Sequence, residues 1–465
     1  MNRTASGTWS GDRLKTPRLA AQATRVSTTA LDIWTFLLPA ISFVQVTVVG
    51  QLIVSEVLAA VMLPWLWGAK GRLRMPRWFL LLWGGWLVSQ IVTDVVMGSG
   101  FADYSRGWAA ILFTLTDFAA VLVLVSTPRR ARLFALGLAA SGALGYFIAP
   151  NIYAAGDPWK WAFALPIGFT LAAALSGRLS TRAPLLPIAA FTAFGALNLL
   201  LGFRNLGGVS VLASAYLLLN TLVGRRQSVE HPSIARATVG LLFCLIAALG
   251  ILQGYDFAAS QGLLGASART KYFEESGSLG VLVGGRPEIL VSTQAIIDSP
   301  ILGHGSWAKD FKYADLLTTR LSSLGYDIGA GPSDVGLIPT HSYLLGSWVW
   351  AGFLGGVFWI AILLLAGWLL LNLYAVRLTL GPLLVFSTAL FLWNIVFSPY
   401  GSSSRLLAAY SIALCLLGMR LLSGDARVPH AAGPLTDVPT SASLGRRPPS
   451  GRGALPPCET GGGPR

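Results

Sequence analysis

SYLLGSWVWAGFLGGVFWIAILLLAGWLLLN, residues 342–372, carries neither a charged side chain nor a histidine, and its reading decides the fold. It exceeds the ~20 apolar residues that a helix needs to cross a hydrocarbon core of about 30 Å. A chain in lipid must satisfy its backbone hydrogen bonds internally, so helix is the form expected. Comparable stretches follow at 382–397 and 404–421. They precede it at 33–50, 52–68, 78–98, 107–126, 133–149, 161–177, 184–202, 208–223 and 237–253. The composition agrees, with 54% hydrophobic and 12% charged residues and 16 tryptophans, against about 25% charged in soluble domains. The expected fold class is an all-α integral membrane protein of about twelve transmembrane helices.

The chain divides accordingly into a basic arm (1–30), nine spans within 31–253, one long polar segment (254–341), three spans within 342–421 and a tail (422–465). The arm has no short apolar core followed by a small-residue cleavage site, so the first span is expected to act as its own insertion signal. The tail mixes Pro, Gly, Ser and Ala without apolar periodicity and reads as disordered. Cys244 and Cys415 fall in spans and Cys458 in the tail, so no disulfide framework is expected in the 254–341 segment. No internal repeat is visible.

Lys and Arg mark every second loop. Lys70, Arg72, Arg74 and Arg77 share one, Arg129, Arg130 and Arg132 the next, then Arg178 with Arg182, and Arg225 and Arg226 with Arg236. The alternate loops 99–106 and 150–160 hold one cation each, Arg106 and Lys160. The marked loops and both termini are therefore expected on the cytoplasmic side and 254–341 on the other. This bias accounts for much of the net charge of +14, so no nucleic-acid partner is inferred.

Within the long segment, Pro287 to about Asp298 has a short helical pattern with Pro287 at its first position. A second amphipathic stretch runs from Trp307 to Leu324, where Gly325 is expected to stop it. GAGPSDVG, 329–336, reads as a loop able to act as a lid.

The same segment gathers the residues able to do chemistry. Arg286 precedes a helix N-terminus, where backbone N–H groups and the helix dipole favour an anion and guanidinium suits bidentate phosphate binding; pairing with Glu288 or with a headgroup is the alternative. Arg204, in the short turn Phe203–Asn205, either faces the protein interior or snorkels to the headgroups. His341 opens a span, placed as base or proton shuttle or as a helix-entry side chain bonding backbone. His304, between two glycines, reads as an accessory group or a turn histidine. No metal site, nucleotide loop or Gly-x-Ser-x-Gly elbow is present in a usable context, so no metal and no cofactor is expected. Glu56, Asp94 and Asp117 are intramembrane acids that a transporter or flippase could use.

GGRPEILVSTQAIIDSPILGHGSW (284–307) together with IPTHSYLLGSWVWAGFLGG (338–356) resembles the signature region of the O-antigen ligase and O-antigen polymerase superfamily. Arg286 stands at that family's helix-opening arginine, Ser299–Gly305 at its Ser-Pro-apolar-apolar-Gly-x-Gly turn, His341 at its histidine and Ala351–Gly355 at its Gly-Leu-apolar-Gly helix. Two departures are Ser342, where Asn is common, and FRN around Arg204, where Ser-Arg-Gly is common.

The resemblance implies a metal-independent glycosyltransferase of the GT-C-type fold in a bacterial inner membrane, acting at the periplasmic face. The implied donor is a glycan on undecaprenyl pyrophosphate. The implied acceptor is lipid A-core in a ligase, or a second lipid-linked repeat unit in a polymerase making O-antigen or exopolysaccharide. Arg204 and Arg286 would bind the pyrophosphate, Arg286 and His341 would serve catalysis, and Glu288 and His304 would be accessory.

Overall fold

The computed structural model describes residues 28–68, 73, 75–150, 152–224, 233–275, 285–323 and 336–423, all within one compact unit. Among the described residues, seven helices are long and apolar enough to cross a membrane. They are α3 (Arg77–Met97), α4 (Phe101–Leu124), α5 (Pro128–Ile148), α8 (Arg204–Val223), α9 (Ile234–Ser260), α14 (Phe353–Leu373) and α16 (Arg405–Leu422), the last preceded by a 3-10 turn at Ser402–Ser404. Shorter apolar helices lie among them: α2 (Val54–Trp67), α6 (Ala164–Leu175) after a π-helical turn at Trp159–Phe163, α7 (Leu185–Leu200) and α15 (Gly381–Phe397). The first helix, α1, is Thr28–Ala40. The protein is thus a helical, multi-pass membrane protein.

Burial sorts the helices into inner and outer. The apolar window of α16 is 72% buried, whereas that of α9 is 11% buried, so α9 presents most of its Leu and Ile side chains outward. At the centre, α4 packs on α16, and Phe134 of α5 stacks on Tyr410 of α16 at 4.9 Å. A hydrophobic face turned outward fits lipid, which is the environment expected from composition.

Three expectations need correction. The stretch 33–50 is not one helix: α1 ends at Ala40, and Gln45–Thr47 (β1) pairs antiparallel with Gln51–Ile53 (β2). The run VQVTVV is rich in β-branched side chains, which favour strand, and Arg106 donates from Nε to the Val49 carbonyl at 2.7 Å, holding the hairpin. The stretch 342–372 is broken at Gly352 into α13 (Tyr343–Ala351) and α14. Helix α9 runs to Ser260, beyond the expected end of its span, and 266–275 form a further helix, α10 (Ala266–Glu275), in the part of the long segment read only as polar.

The two short helices of the long segment are present with shifted starts. Helix α11 is Glu288–Asp298, with Pro287 at its cap, and α12 is Phe311–Ser323. Trp307 is not its first residue but a left-handed one, at φ 53°. Helices α11 and α12 share a small core of Val291, Ala295, Tyr313 and Ile338 that closes on Val349 of α13. Lys70, Arg72, Arg74, Arg225, Arg226, the expected stop at Gly325, most of the 329–336 loop, the arm to residue 27 and the tail from 424 lie outside the described residues.

Candidate functional site

The turn Ser299–Gly305 is fastened to the helix break. His304 and Gly305 donate their N–H groups to the carbonyls of Val349 (2.7 Å) and Trp350 (3.1 Å), and Phe353 donates to Ile301 at 3.0 Å. The approach is so close that a Cβ on Gly352 would lie 2.0 Å from the Ile301 carbonyl oxygen, and one on Gly303 would lie 2.6 Å from the Gly352 nitrogen. Both glycines have positive φ, so a side chain is excluded by conformation as well as by space. The histidine of this turn is structural in geometry: its Nε2 donates to the Ala295 carbonyl at 2.8 Å, and its ring sits edge-on to Tyr313.

Asp94, one of the intramembrane acids, belongs to the same fastening. Its carboxylate accepts from Ser306 N (2.6 Å), Ser306 Oγ (2.8 Å), Trp108 Nε1 (2.8 Å), Ser99 Oγ (2.9 Å) and Gln90 Nε2 (3.3 Å). A buried carboxylate so fully bonded holds two segments together. Glu56 is likewise spoken for, receiving Arg405 through Nε (2.5 Å) and Nη2 (2.9 Å) and capping Ile53 N at 3.0 Å. Asp117 differs, being fully buried with no hydrogen-bond partner on either oxygen.

A cavity of about 500 Å³ opens between α8, α9 and α15, and Arg204 and Arg286 both stand on its wall. Lys160, on the π-helical turn, stands there too. The rest of the wall is mostly apolar, including Leu212, Ile251, Leu252, Leu392, Trp393 and Phe397, and among the described residues it holds no carboxylate. From Arg204 to Leu212 the wall follows α8 inward for about 12 Å. The cavity therefore joins a cationic end to an apolar one.

Each arginine is held in place. Arg286 donates from Nε to the Phe397 carbonyl at 3.0 Å and from Nη1 to the Gly285 carbonyl at 2.9 Å, tying the start of α11 to the end of α15. The alternative partner Glu288 instead lies nearest to His341, at 3.3 Å from its Nδ1. Arg204 opens α8, with Nη1 3.5 Å from the Tyr255 hydroxyl and its guanidinium 5.9 Å from that ring.

His341 Nδ1 lies 3.3 Å from Glu288 Oε1, within ion-pair distance but outside hydrogen-bond geometry. Neither residue lines the cavity, although Glu288 follows Arg286 by one helical position beyond Pro287. Ser342 caps α13 by accepting from Leu345 N at 3.1 Å and donates to the Ile395 carbonyl at 2.8 Å. Serine and asparagine are equivalent caps, so that departure leaves the helix entry intact.

The structure thus brings together Arg204 with Arg286, and His341 with Glu288, while His304 turns into the fastening of the helix break. Lys160 entered the sequence reading only as a loop cation; nothing local in GDPWKW sets it apart, and only the packing of distant helices places it with the arginines. Among the described residues no group of three or more His, Cys, Asp or Glu could hold a metal ion. No family model, no curated protein and no solved structure matches the chain.

Proposed function

We propose that this protein is a membrane glycosyltransferase that transfers a glycan from undecaprenyl pyrophosphate to an acceptor hydroxyl, as an O-antigen ligase does. The observation that carries this reading is that Arg204 and Arg286 share the wall of one cavity, which is mostly apolar and, among the described residues, holds no carboxylate. Such a cavity suits a ligand with an anionic head and a hydrocarbon tail, because two guanidinium groups balance two phosphate charges while the helices shelter the tail. The signature-like segments 284–307 and 338–356 supply the arginine and the histidine, and support the GT-C-type fold, the twelve spans and a periplasmic site in a bacterial inner membrane.

In this reading the acceptor oxygen attacks the anomeric carbon and the glycosyl carbon–oxygen bond breaks with inversion. The bonding pair leaves on the phosphate oxygen, whose charge Arg204 and Arg286 stabilise. His341, oriented by Glu288, takes the acceptor proton. The acceptor is lipid A-core; polymerisation onto a second lipid-linked repeat is the same chemistry with a different acceptor. Transport is favoured by one observation only, the unpartnered intramembrane Asp117.

The test is transfer by the purified protein in nanodiscs, given a lipid-linked oligosaccharide alone and then with lipid A-core. One shifted glycolipid appearing only with lipid A-core is expected. A ladder from donor alone makes the protein a polymerase, and absence of transfer from native substrates by folded protein overturns the reading in favour of transport.

A further inference from the structure

Charge brings an anionic head group to this wall, but hydrogen bonds have to hold it there. Each phosphorus of a lipid diphosphate presents oxygens outside its ester and anhydride bonds, and each such oxygen can accept more than one hydrogen bond. Arg286 has already committed its Nε to the Phe397 carbonyl at 3.0 Å and its Nη1 to the Gly285 carbonyl at 2.9 Å. Other donors on the wall are therefore of use to the same ligand.

Two uncharged side chains of the wall have such donors to give, one on α8 and one on α9. Asn205 follows Arg204 on α8, Tyr255 comes from α9, and both line the cavity. The Asn205 carboxamide is fixed through its oxygen, which accepts from Leu206 N at 2.8 Å; its Nδ2 hydrogens are left over, and no described residue accepts them. Tyr255 is 9% exposed, with its ring 5.9 Å from the Arg204 guanidinium and 6.5 Å from the Tyr272 ring of α10. Its hydroxyl oxygen accepts from Arg204 Nη1 at 3.5 Å, which leaves its own hydrogen without an acceptor among the described residues. A buried phenol normally finds an acceptor for its O–H, and an unmet donor is costly until a ligand or a water completes it.

Resting on the transferase reading above, we propose that Asn205 Nδ2 and the Tyr255 hydroxyl bind the lipid diphosphate beside Arg204, by donating hydrogen bonds to its phosphate oxygens. The two groups differ in kind from the arginines. A guanidinium attracts any anion within reach of its field, whereas a neutral donor contributes only where an acceptor oxygen meets it at close range and near linearity. Asn205 and Tyr255 therefore respond to the phosphate oxygens themselves, and removing either donor takes affinity away without taking charge away.

The experiment measures binding of two probes with the same tail, farnesyl diphosphate and farnesol, to wild type, Asn205→Ala and Tyr255→Phe in nanodiscs, against protein-free nanodiscs and over a range of salt. Each substitution is expected to weaken farnesyl diphosphate about tenfold while leaving farnesol within about twofold of wild type. The salt dependence of the diphosphate affinity should stay as in wild type, because no charge is lost, whereas Arg286→Gln should flatten it. Equal weakening of both probes overturns the assignment, since the side chains would then serve only as wall. Weakening of neither probe also overturns it, and so does a flattened salt dependence, which would show that the two act by placing Arg204. All of these leave the transferase reading in place. Wild-type protein that binds farnesyl diphosphate no better than farnesol overturns both.

Discussion

His341 has no value as a base unless its ring is held, and Glu288 is the group in place to hold it, 3.3 Å from Nδ1. A small rotation of the ring would turn that approach into a hydrogen bond, which would fix the tautomer and leave the other nitrogen to meet a substrate proton. His341→Ala is expected to lower transfer by about 10²- to 10⁴-fold, Glu288→Gln by less, and the double variant no further than His341→Ala alone, because Glu288 acts through the histidine. Rates in nanodiscs check this; additive losses would show two independent roles. At this scale the sequence was partly legible. Arg286 stood out by preceding a helix start, and Arg204 by its position in a tight turn. Their sharing of one wall with Lys160 was not legible, since 160, 204 and 286 meet only through the packing of helices far apart in the chain.

Among the elements, the break at Gly352 sets where α13, the helix that follows His341, ends and where the 299–305 turn docks. Gly352→Ala places a Cβ within 2.0 Å of the Ile301 carbonyl oxygen at φ 67°. The expected cost is about 2–5 kcal/mol from backbone strain and overpacking, seen as a lower melting temperature by size-exclusion fluorescence; unchanged melting would mean the turn does not dock here. The pairing of α11 with α12 makes a prediction in pH. Hydrogen bonds from Lys312, Gln294 and Tyr313 hold the Asp298 carboxyl well below the usual carboxylate range. A depressed folded value gives a contribution that is present above the unfolded value of about 3.9 and is lost as pH falls through the folded one. Amide exchange in 311–323 should therefore stay protected from neutral pH down to about 4, and Asp298→Asn should raise it already at pH 7; equal protection in the variant at neutral pH would refute the link. Helix positions followed from apolar run lengths, but the break inside 342–372 did not, because its composition is uniform across Gly352. The hairpin at 45–53 was missed for a related reason: a run of Val serves a lipid-facing helix and a strand equally.

For the whole molecule the decisive quantity is which side of the membrane the cationic end of the cavity faces. The structure ties the end of α3 and the start of α4 to the long segment, through Ser306 on Asp94 at 2.6 Å and Lys309 on Asp103 at 3.5 Å, so the loop joining those helices and the long segment lie at one end of the bundle. The Lys/Arg pattern assigns that end to the non-cytoplasmic side and the 178–182 loop to the cytoplasm. In a cysteine-free background, Ala102→Cys should react with a membrane-impermeant maleimide in intact spheroplasts, and Thr181→Cys only after permeabilisation; both positions are exposed. Replacing the three natural cysteines is needed because a reagent that reaches Cys458 in the tail would mask the signal. The reverse labelling pattern would turn the cationic end of the cavity toward the cytoplasm. The site would then face away from the compartment in which a lipid-linked glycan meets lipid A-core, and the proposed transfer would have no acceptor within reach, however well the cavity bound its anion.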